Sequence, residues 1–158
     1  MTGFPENVLD ELETSVKGYL TEYEVVRRGT KPSDPAQTIG LRAGGWLPLD
    51  DSHEMPSDEP TLSRHNFEVE LLVKAVDEAD GRRLYADGAR RLRSVLYRDA
   101  QLRLRLEALS VEELGSIDRF KRLKVVNQTF LSNAVKGNWF FVATTRFYIE
   151  VETSPAPS

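Results

Sequence analysis

The residue types that could support catalysis or bind a metal are concentrated in one short segment, Asp50-Asp51-Ser52-His53-Glu54. Carboxylates, a hydroxyl and an imidazole are the groups of a hydrolase triad or of a hard-metal site. Consecutive residues of one loop cannot all converge on a single atom, so the segment is interpreted as a solvated loop. His65 follows His53 by twelve residues, and a zinc site would need at least one further ligand. Each histidine is therefore expected to titrate alone at the surface.

Other signatures of catalysis are also weak. The pair Gly44-Gly45 precedes Trp46 but lacks the strand, lysine and helix of a phosphate-binding loop, so it is interpreted as a turn. The chain contains no cysteine, which excludes disulfide and thiolate chemistry. The sequence therefore predicts that the protein is not an enzyme and that it uses no metal and no other cofactor.

A helix predicted over residues 82–98 provides the sharpest candidate for a functional surface. Stepped at roughly 100° per residue, its apolar side chains fall in one arc and its arginines fill the opposite half. The arginines are Arg82, Arg83, Arg90, Arg91, Arg93 and Arg98. Three interpretations stay open: a solvated face, a subunit interface, or a contact with nucleic-acid phosphates. Among the functional ones the interface is favoured, because arginine pairs bidentately with carboxylates and no nucleic-acid-binding signature is present.

The net charge of -4 conceals a strong asymmetry along the chain. The first 80 residues hold seven Lys and Arg against seventeen Asp and Glu, whereas residues 81–158 hold fourteen against eight. The two parts therefore carry net charges of -10 and +6. One molecule could present an acidic and a basic surface, which suits head-to-tail contacts between copies and closure into a ring. Our hypothesis is that the arginine face and the acidic first part meet across subunits; the alternative is that both are simply solvated.

The stretch 138–151 alternates almost without fault and predicts a long strand with two useful faces. Large apolar or aromatic residues occupy both sides, so one face can supply a core while the other needs a second cover, such as another copy of the chain. Trp139, Phe140 and Tyr148 are the strand residues predicted to contribute to a subunit interface. This pattern favours assembly over catalysis.

The remaining periodicity predicts an α+β domain over residues 1–152, with a mixed, mostly antiparallel sheet and two main amphipathic helices packed on it. Besides the arginine-faced helix, a second helix is predicted over residues 5–20. Strands are predicted at 23–27, 38–42, 66–76, 102–109 and 124–131, and 117–123 is ambiguous. Residues 28–65, rich in glycine and proline, are predicted to be a long irregular loop inserted in the domain, and 153–158 a disordered tail. Gly88 inside a helix costs about 1 kcal/mol, which indicates close packing against a neighbouring backbone.

The start of the chain shows no basic segment followed by an apolar one, and no apolar run approaches the length of a membrane span. We therefore expect a soluble, cytoplasmic setting without membrane contact.

The order of these elements resembles the tail terminator proteins of long-tailed bacteriophages, also called the minor tail protein U-like or tail completion family. The resemblance covers most of residues 8–153. It rests on the N-terminal helix at 8–12, the strand Phe67-Glu68-Val69-Glu70-Leu71-Leu72-Val73, the arginine-rich helix segment at 90–96 and the aromatic C-terminal strand. This sequence departs from the family pattern in the long segment 28–64 and in extra material at 109–124.

The resemblance implies a virion protein that forms a ring, a homohexamer, on the head-proximal end of the tail tube. Such a ring stops tube polymerisation and provides the docking surface for the head connector. The implied partners are other copies of the chain, the tail tube protein and the head connector or neck proteins, with the host cytoplasm as the site of assembly. No activity, cofactor or specific nucleic-acid binding is implied. Two alternatives stay open: a head-to-tail joining protein of the neck, and a small nucleic-acid-binding accessory protein.

Overall fold

The computed structural model describes residues 3–27, 36–48 and 61–155. In chain order the elements are α1 (Phe4–Tyr19), β1 (Glu24–Arg27), β2 (Gln37–Pro48), β3 (Thr61–Ala75), α2 (Glu78–Arg98), α3 (Ala100–Glu107), β4 (Ser110–Glu113), β5 (Ser116–Val135) and β6 (Asn138–Pro155). The predicted α+β class is confirmed, with α3 as an additional helix.

The six described strands form one mixed sheet in the order β1-β2-β3-β6-β5-β4. Among these strands only β1 and β2 pair in parallel, and every other pairing is antiparallel. The central pair, β3 and β6, keeps an unbroken register from Thr61 opposite Thr153 to Ala75 opposite Trp139. The predicted central position of β3 is therefore confirmed.

The core lies between one face of this sheet and the three helices. Alternate residues of β3 and β6 point to that face because successive side chains of a strand point to opposite sides. The buried apolar residues that β3 and β6 place on this face are Phe67, Val69, Leu71, Val73, Phe141, Ala143, Phe147, Ile149 and Val151. The helices contribute to the same cluster, among others with Val8, Leu12 and Val16 of α1, Leu92 and Val95 of α2, and Leu102 and Leu106 of α3. The other face of the sheet carries the remaining strand residues and is not covered by any described helix.

Close packing between α2 and its neighbours depends on two glycines. A Cβ added to Gly81 would lie 2.6 Å from the ring of Phe141. A Cβ added to Gly88 would collide with the hydroxyl of Tyr23 and lie 3.0 Å from Leu71. The predicted tight contact at Gly88 is confirmed, but its partners are side chains and not a backbone. The hydroxyl of Tyr23, the residue that precedes β1, occupies the space that a side chain at position 88 would need.

The predicted strand at 102–109 is wrong, because residues 102–107 belong to α3 and 108–109 follow its end. Leu102 and Leu106 are buried one helical turn apart, whereas Leu104 is exposed. Asp99 caps this helix by accepting a hydrogen bond of 3.1 Å from the backbone N–H of Gln101. The alternation of Leu and Arg fits a strand, but the same leucines also fit an i, i+4 stripe.

The predicted loop over 28–65 is wrong for much of its length. Strand β2 spans twelve residues instead of the five predicted, and β3 begins at Thr61. The pair Gly44-Gly45 lies at an irregularity of the β2–β3 register, not in a turn between elements, and His65 is part of β3. Residues 28–35 and 49–60, including the cluster at 50–54 and His53, lie outside the described residues.

Two further boundaries differ from the prediction. The ambiguous stretch 117–123 and the predicted strand 124–131 form the single strand β5. Its turn to β6 needs only Lys136 and Gly137, which have φ values of 50° and 82°. Two positive φ values in succession suit the twist of a tight hairpin. The predicted disordered tail is wrong at residues 153–155, which belong to β6 and pair with β5. Residues 156–158 lie outside the described residues.

Candidate functional site

Four of the six arginines predicted as an interface are paired with acidic residues of their own helix. Arg82 lies 3.0 Å from Glu78 and Arg83 lies 3.9 Å from Asp80. Arg90 and Arg91 share Asp87, at 2.8 Å and 2.9 Å. These pairs lie three or four residues apart, the spacing at which helical side chains meet. The hydrogen bond from Arg90 lowers the pKa of Asp87. Much of the predicted basic face is therefore compensated within α2.

Arg91 has a structural role that the sequence does not reveal. Besides Asp87, it contacts the carboxylate of Glu22 and donates a hydrogen bond of 3.2 Å to the backbone oxygen of Tyr19. The bond to Glu22 raises the pKa of Arg91. This half-buried guanidinium thus ties α2 to the end of α1 and to the segment that leads into β1.

Arg93 and Arg98 have no acidic partner within residues 3–27, 36–48 and 61–155. The guanidinium of Arg93 lies 5.7 Å from the centre of the Tyr97 ring, a cation–π distance. Both arginines line a shallow groove together with Arg90, Ser94 and Tyr97. This groove is the part of the arginine face that is free to receive an anionic group.

The three aromatic residues predicted at an interface lie in different surroundings. Trp139 is half-buried on the helix side of the sheet, where its ring lies 6.3 Å from that of Phe141. Phe140 is half-buried on the opposite face, next to Lys74. Tyr148, also on that face, is buried beneath the guanidinium of Arg64 at 3.9 Å. The structure does not bring these rings together, and only Phe140 contributes directly to the uncovered face.

The acidic side chains of α1 gather around one arginine at the β1 edge of the sheet. Arg27 lies 2.6 Å from Asp10 and 3.6 Å from both Glu6 and Glu13. Glu11 pairs at 2.6 Å with Arg105 of α3. Glu13 also pairs with Lys17 at 3.5 Å. Three carboxylates against two bases still leave an excess of negative charge at this edge.

Sequence reasoning missed a third surface, the outer edge of β5. Strand β4 pairs only with the first residues of β5, up to Arg119. Beyond that point no described strand pairs with its outer side. Large apolar residues are exposed along this stretch: Val126, Phe130, Leu131 and Val135 are 57%, 58%, 66% and 44% exposed. The signal that could have revealed this surface is the run at 125–135, eleven residues without a charge or a proline.

No group of three or more His, Asp or Glu side chains that could hold a metal occurs within the described residues. His65 is half-buried beside the ring of Phe4, with 6.0 Å between ring centres, and burial lowers its pKa. It is therefore not the surface histidine that the sequence predicted. In the described part of the chain, no helix is long and apolar enough to cross a membrane.

Neither the models of protein families nor the curated proteins match the chain. Among solved structures, it is similar to a chain of the virion of a native gene transfer agent (GTA) particle. The sequence identity is 15%, 94% of each chain is covered and the TM-score is 0.51, which indicates a shared fold. A second solved chain matches at 15% identity over 95% of this chain and 98% of that chain, with a TM-score of 0.38, too low to indicate a shared fold. A shared fold does not by itself establish a shared function.

Proposed function

We propose that the protein is a structural component of a phage-like virion, a tail terminator that forms a ring on the head-proximal end of the tail tube. The observation that carries this proposal is the fold shared with a chain of the GTA virion, over 94% of both chains. The resemblance in element order to tail terminator proteins supports the finer assignment. The ring, expected to be a hexamer, would stop tube polymerisation and receive the head connector.

The distribution of surface chemistry supports assembly over catalysis. The sheet is open, with an outer edge of β5 that exposes apolar side chains and an opposite edge rich in carboxylates. Monomeric proteins usually protect a long apolar strand edge from further pairing. Surfaces of opposite charge on one subunit suit repeated head-to-tail contacts, which close into a ring when the rotation permits.

The proposed partners are other copies of the chain, the tail tube protein and the head connector, with a location in the virion after assembly in the host cytoplasm. The proposed role needs no catalysis and no cofactor. Of the arginines on α2, Arg93 and Arg98 remain the best candidates for contact with the tail tube protein or the head connector, because they have no acidic partner in the described part of the chain.

Tube assembly in vitro provides the test. Purified tube protein from the same virion is polymerised with and without this chain, and tube lengths are measured by electron microscopy. We expect the chain to bind one end of each tube and to shift the lengths to a shorter distribution. Tubes that grow unchanged and carry no terminal density would contradict the terminator role, and binding to the connector alone would favour a neck protein.

One observation favours nucleic-acid binding as a second candidate function. The groove at Arg93 and Arg98 combines two guanidinium groups that meet no carboxylate among the described residues with the hydroxyls of Ser94 and Tyr97, which suits phosphate groups. Binding to duplex DNA in a salt series separates the two functions. The terminator predicts weak binding that the double substitution Arg93→Ala and Arg98→Ala leaves unchanged, whereas a nucleic-acid-binding protein loses both affinity and salt dependence.

A further inference from the structure

We infer that copies of the chain join edge to edge: the outer edge of β5 in one copy docks against the edge formed by β1 and α1 in the next. This inference deepens the proposed function, since it rests on self-association and names the surfaces that meet. It also moves the interface away from the arginine face of α2.

The outer side of β5 has the properties of an edge strand that can pair with another strand. Residues 120–135 pair with β6 on one side and with no described strand on the other. A row of unpaired backbone N–H and C=O groups on an edge strand is a template for another strand. Sheets usually protect such an edge with charges, prolines or short length, but the run at 125–135 has neither a charge nor a proline.

The charges of β5 itself are mostly positive, although β4, which covers the first residues of β5, contributes Glu112 and Glu113. Strand β5 contains Arg119, Lys121, Arg122 and Lys124 against the single acid Asp118. Lys121 and Arg122 pair with Glu152 and Glu150 of β6. Arg119 is the last residue of β5 opposite β4 and donates a hydrogen bond of 3.4 Å to the hydroxyl of Ser154. Neither Arg119 nor Lys124 has an acidic partner in the described ranges, so both side chains can meet carboxylates outside this subunit.

The opposite edge of the sheet carries the complementary charge. Residues 3–27, which include α1 and β1, contain six acids against two bases. Helix α1 packs against β1 and β2, so its carboxylates lie beside the outermost strand. Glu6 and Asp10 are more than half exposed even though both contact Arg27. The outer side of β1 itself has no strand partner within the described residues.

The sheet topology makes this pairing geometrically simple. Between β1 and β5 the sheet contains one parallel pairing, β1 with β2, and three antiparallel ones. Three reversals of direction leave β5 antiparallel to β1. A second copy placed in the same orientation therefore brings its β5 antiparallel to the β1 of the first. The two surfaces differ, so each copy keeps one free edge and the contact repeats until a ring closes.

Charge reversal at each edge tests the inference. The β5 variant carries Arg119→Glu and Lys124→Glu, the α1 variant carries Glu6→Lys and Asp10→Lys, and the matched control carries Arg93→Glu and Arg98→Glu on α2. Native mass spectrometry measures the assemblies of each. We expect each edge variant alone to dissociate at least about tenfold more readily than the wild type, because like charges then meet. An equal mixture of the two edge variants regains assembly, since opposite charges meet again at every contact.

A second measurement covers the case in which an edge variant fails to fold, as judged by circular dichroism. Hydrogen exchange on the wild type compares monomer and assembly, and we expect outward-facing amides within 121–135 to become protected on assembly. Assembly that survives both edge variants, or amides of β5 that remain unprotected, would overturn the inference. If the control alone loses assembly, the edge contact is wrong while self-association stands; a wild type that never assembles contradicts both.

Discussion

The centre of the sheet and the distal half of β5 are built from a similar strand pattern, but only the centre is satisfied within one chain. Strands β3 and β6 have partners on both sides, and helices cover side chains such as Phe141 and Leu71 completely. Residues 125–135 of β5 pair only with β6 and leave Phe130 and Leu131 more than half exposed. The apolar side chains of β6 are therefore explained by the core of the folded chain. The exposed apolar side chains of β5 indicate contact with a partner.

The largest expected effect is on the stability of the central region. Replacing Phe141 with alanine removes a fully buried ring that contacts Tyr85 and lies against Gly81, and we expect a loss of roughly 3–5 kcal/mol in the free energy of unfolding. Phe130→Ala removes only an exposed ring with one edge contact to Tyr85 and should cost less than about 1 kcal/mol. Urea denaturation of the monomer measures both, and equal losses would remove the distinction between the two regions.

The second effect concerns the packing of α2 on the sheet. Gly88→Ala forces a methyl group against the Tyr23 hydroxyl and Leu71, and we expect a destabilisation of about 1–3 kcal/mol. Gly18→Ala in α1 is the matched control, because no atom lies near the added methyl group; it should be neutral or stabilising by up to about 1 kcal/mol. Tyr23→Phe should partly rescue Gly88→Ala. Thermal unfolding that ranks the two alanine variants equally would contradict this account of the glycine.

A smaller effect separates the two kinds of arginine on α2. Arg91→Ala breaks contacts to Glu22, Asp87 and the backbone of Tyr19, and we expect a loss of about 1 kcal/mol, since solvent screens a group that is one-third exposed. Arg93→Ala removes only a contact with Tyr97 and should change the unfolding free energy by less than about 0.5 kcal/mol. Chemical denaturation measures both changes. A larger loss of unfolding free energy for Arg93→Ala than for Arg91→Ala would contradict the structural role of Arg91.

The smallest effect is a pH dependence from His65. Burial lowers its pKa in the folded chain, so the unfolded chain binds the proton more readily. We therefore expect stability to fall as the pH drops below about 6.5, the ordinary pKa of histidine, and the loss to level off below the lowered pKa. His65→Gln should remove this part of the pH dependence in thermal unfolding between about pH 7 and 5. An unchanged profile would show that His65 does not titrate differently in the two states.

The parts of the fold that the sequence predicts best are those with a single compatible periodicity. The sequence predicts strand β6 from residue 138 onward, because alternation over many residues fits no helix. It predicts α2 because the arginines and leucines fall on opposite sides of a helix. The strand prediction at 102–109 fails because Leu102, Leu104 and Leu106 fit the period of a strand, while Leu102 and Leu106 also fit that of a helix. Only burial in the folded chain shows that Leu104 faces solvent. Strand β2 was underestimated because Gly44, Gly45 and Pro48 disfavour strands, yet they lie at a register irregularity and at the strand's end.

The candidate surfaces were predicted less well than the fold. The charge counts of the two parts of the chain show that charge is distributed unevenly along the sequence. They do not show where the charged side chains lie on the folded surface. The sequence could not show that Arg82, Arg83 and Arg90 are paired within α2, or that Arg119 and Lys124 have no acidic partner among the described residues. Pairing depends on the distance between side chains from separate elements, which periodicity does not supply.

The mass of the assembled particle tests the central claim most directly. Native mass spectrometry of the wild-type chain across concentration and salt series measures it without any substitution. The account predicts one discrete closed species, six subunits by the resemblance to tail terminators, whose population falls as salt screens the contact between the acidic and basic edges. A chain that remains monomeric throughout, or one that forms open polymers of undefined length, would contradict it.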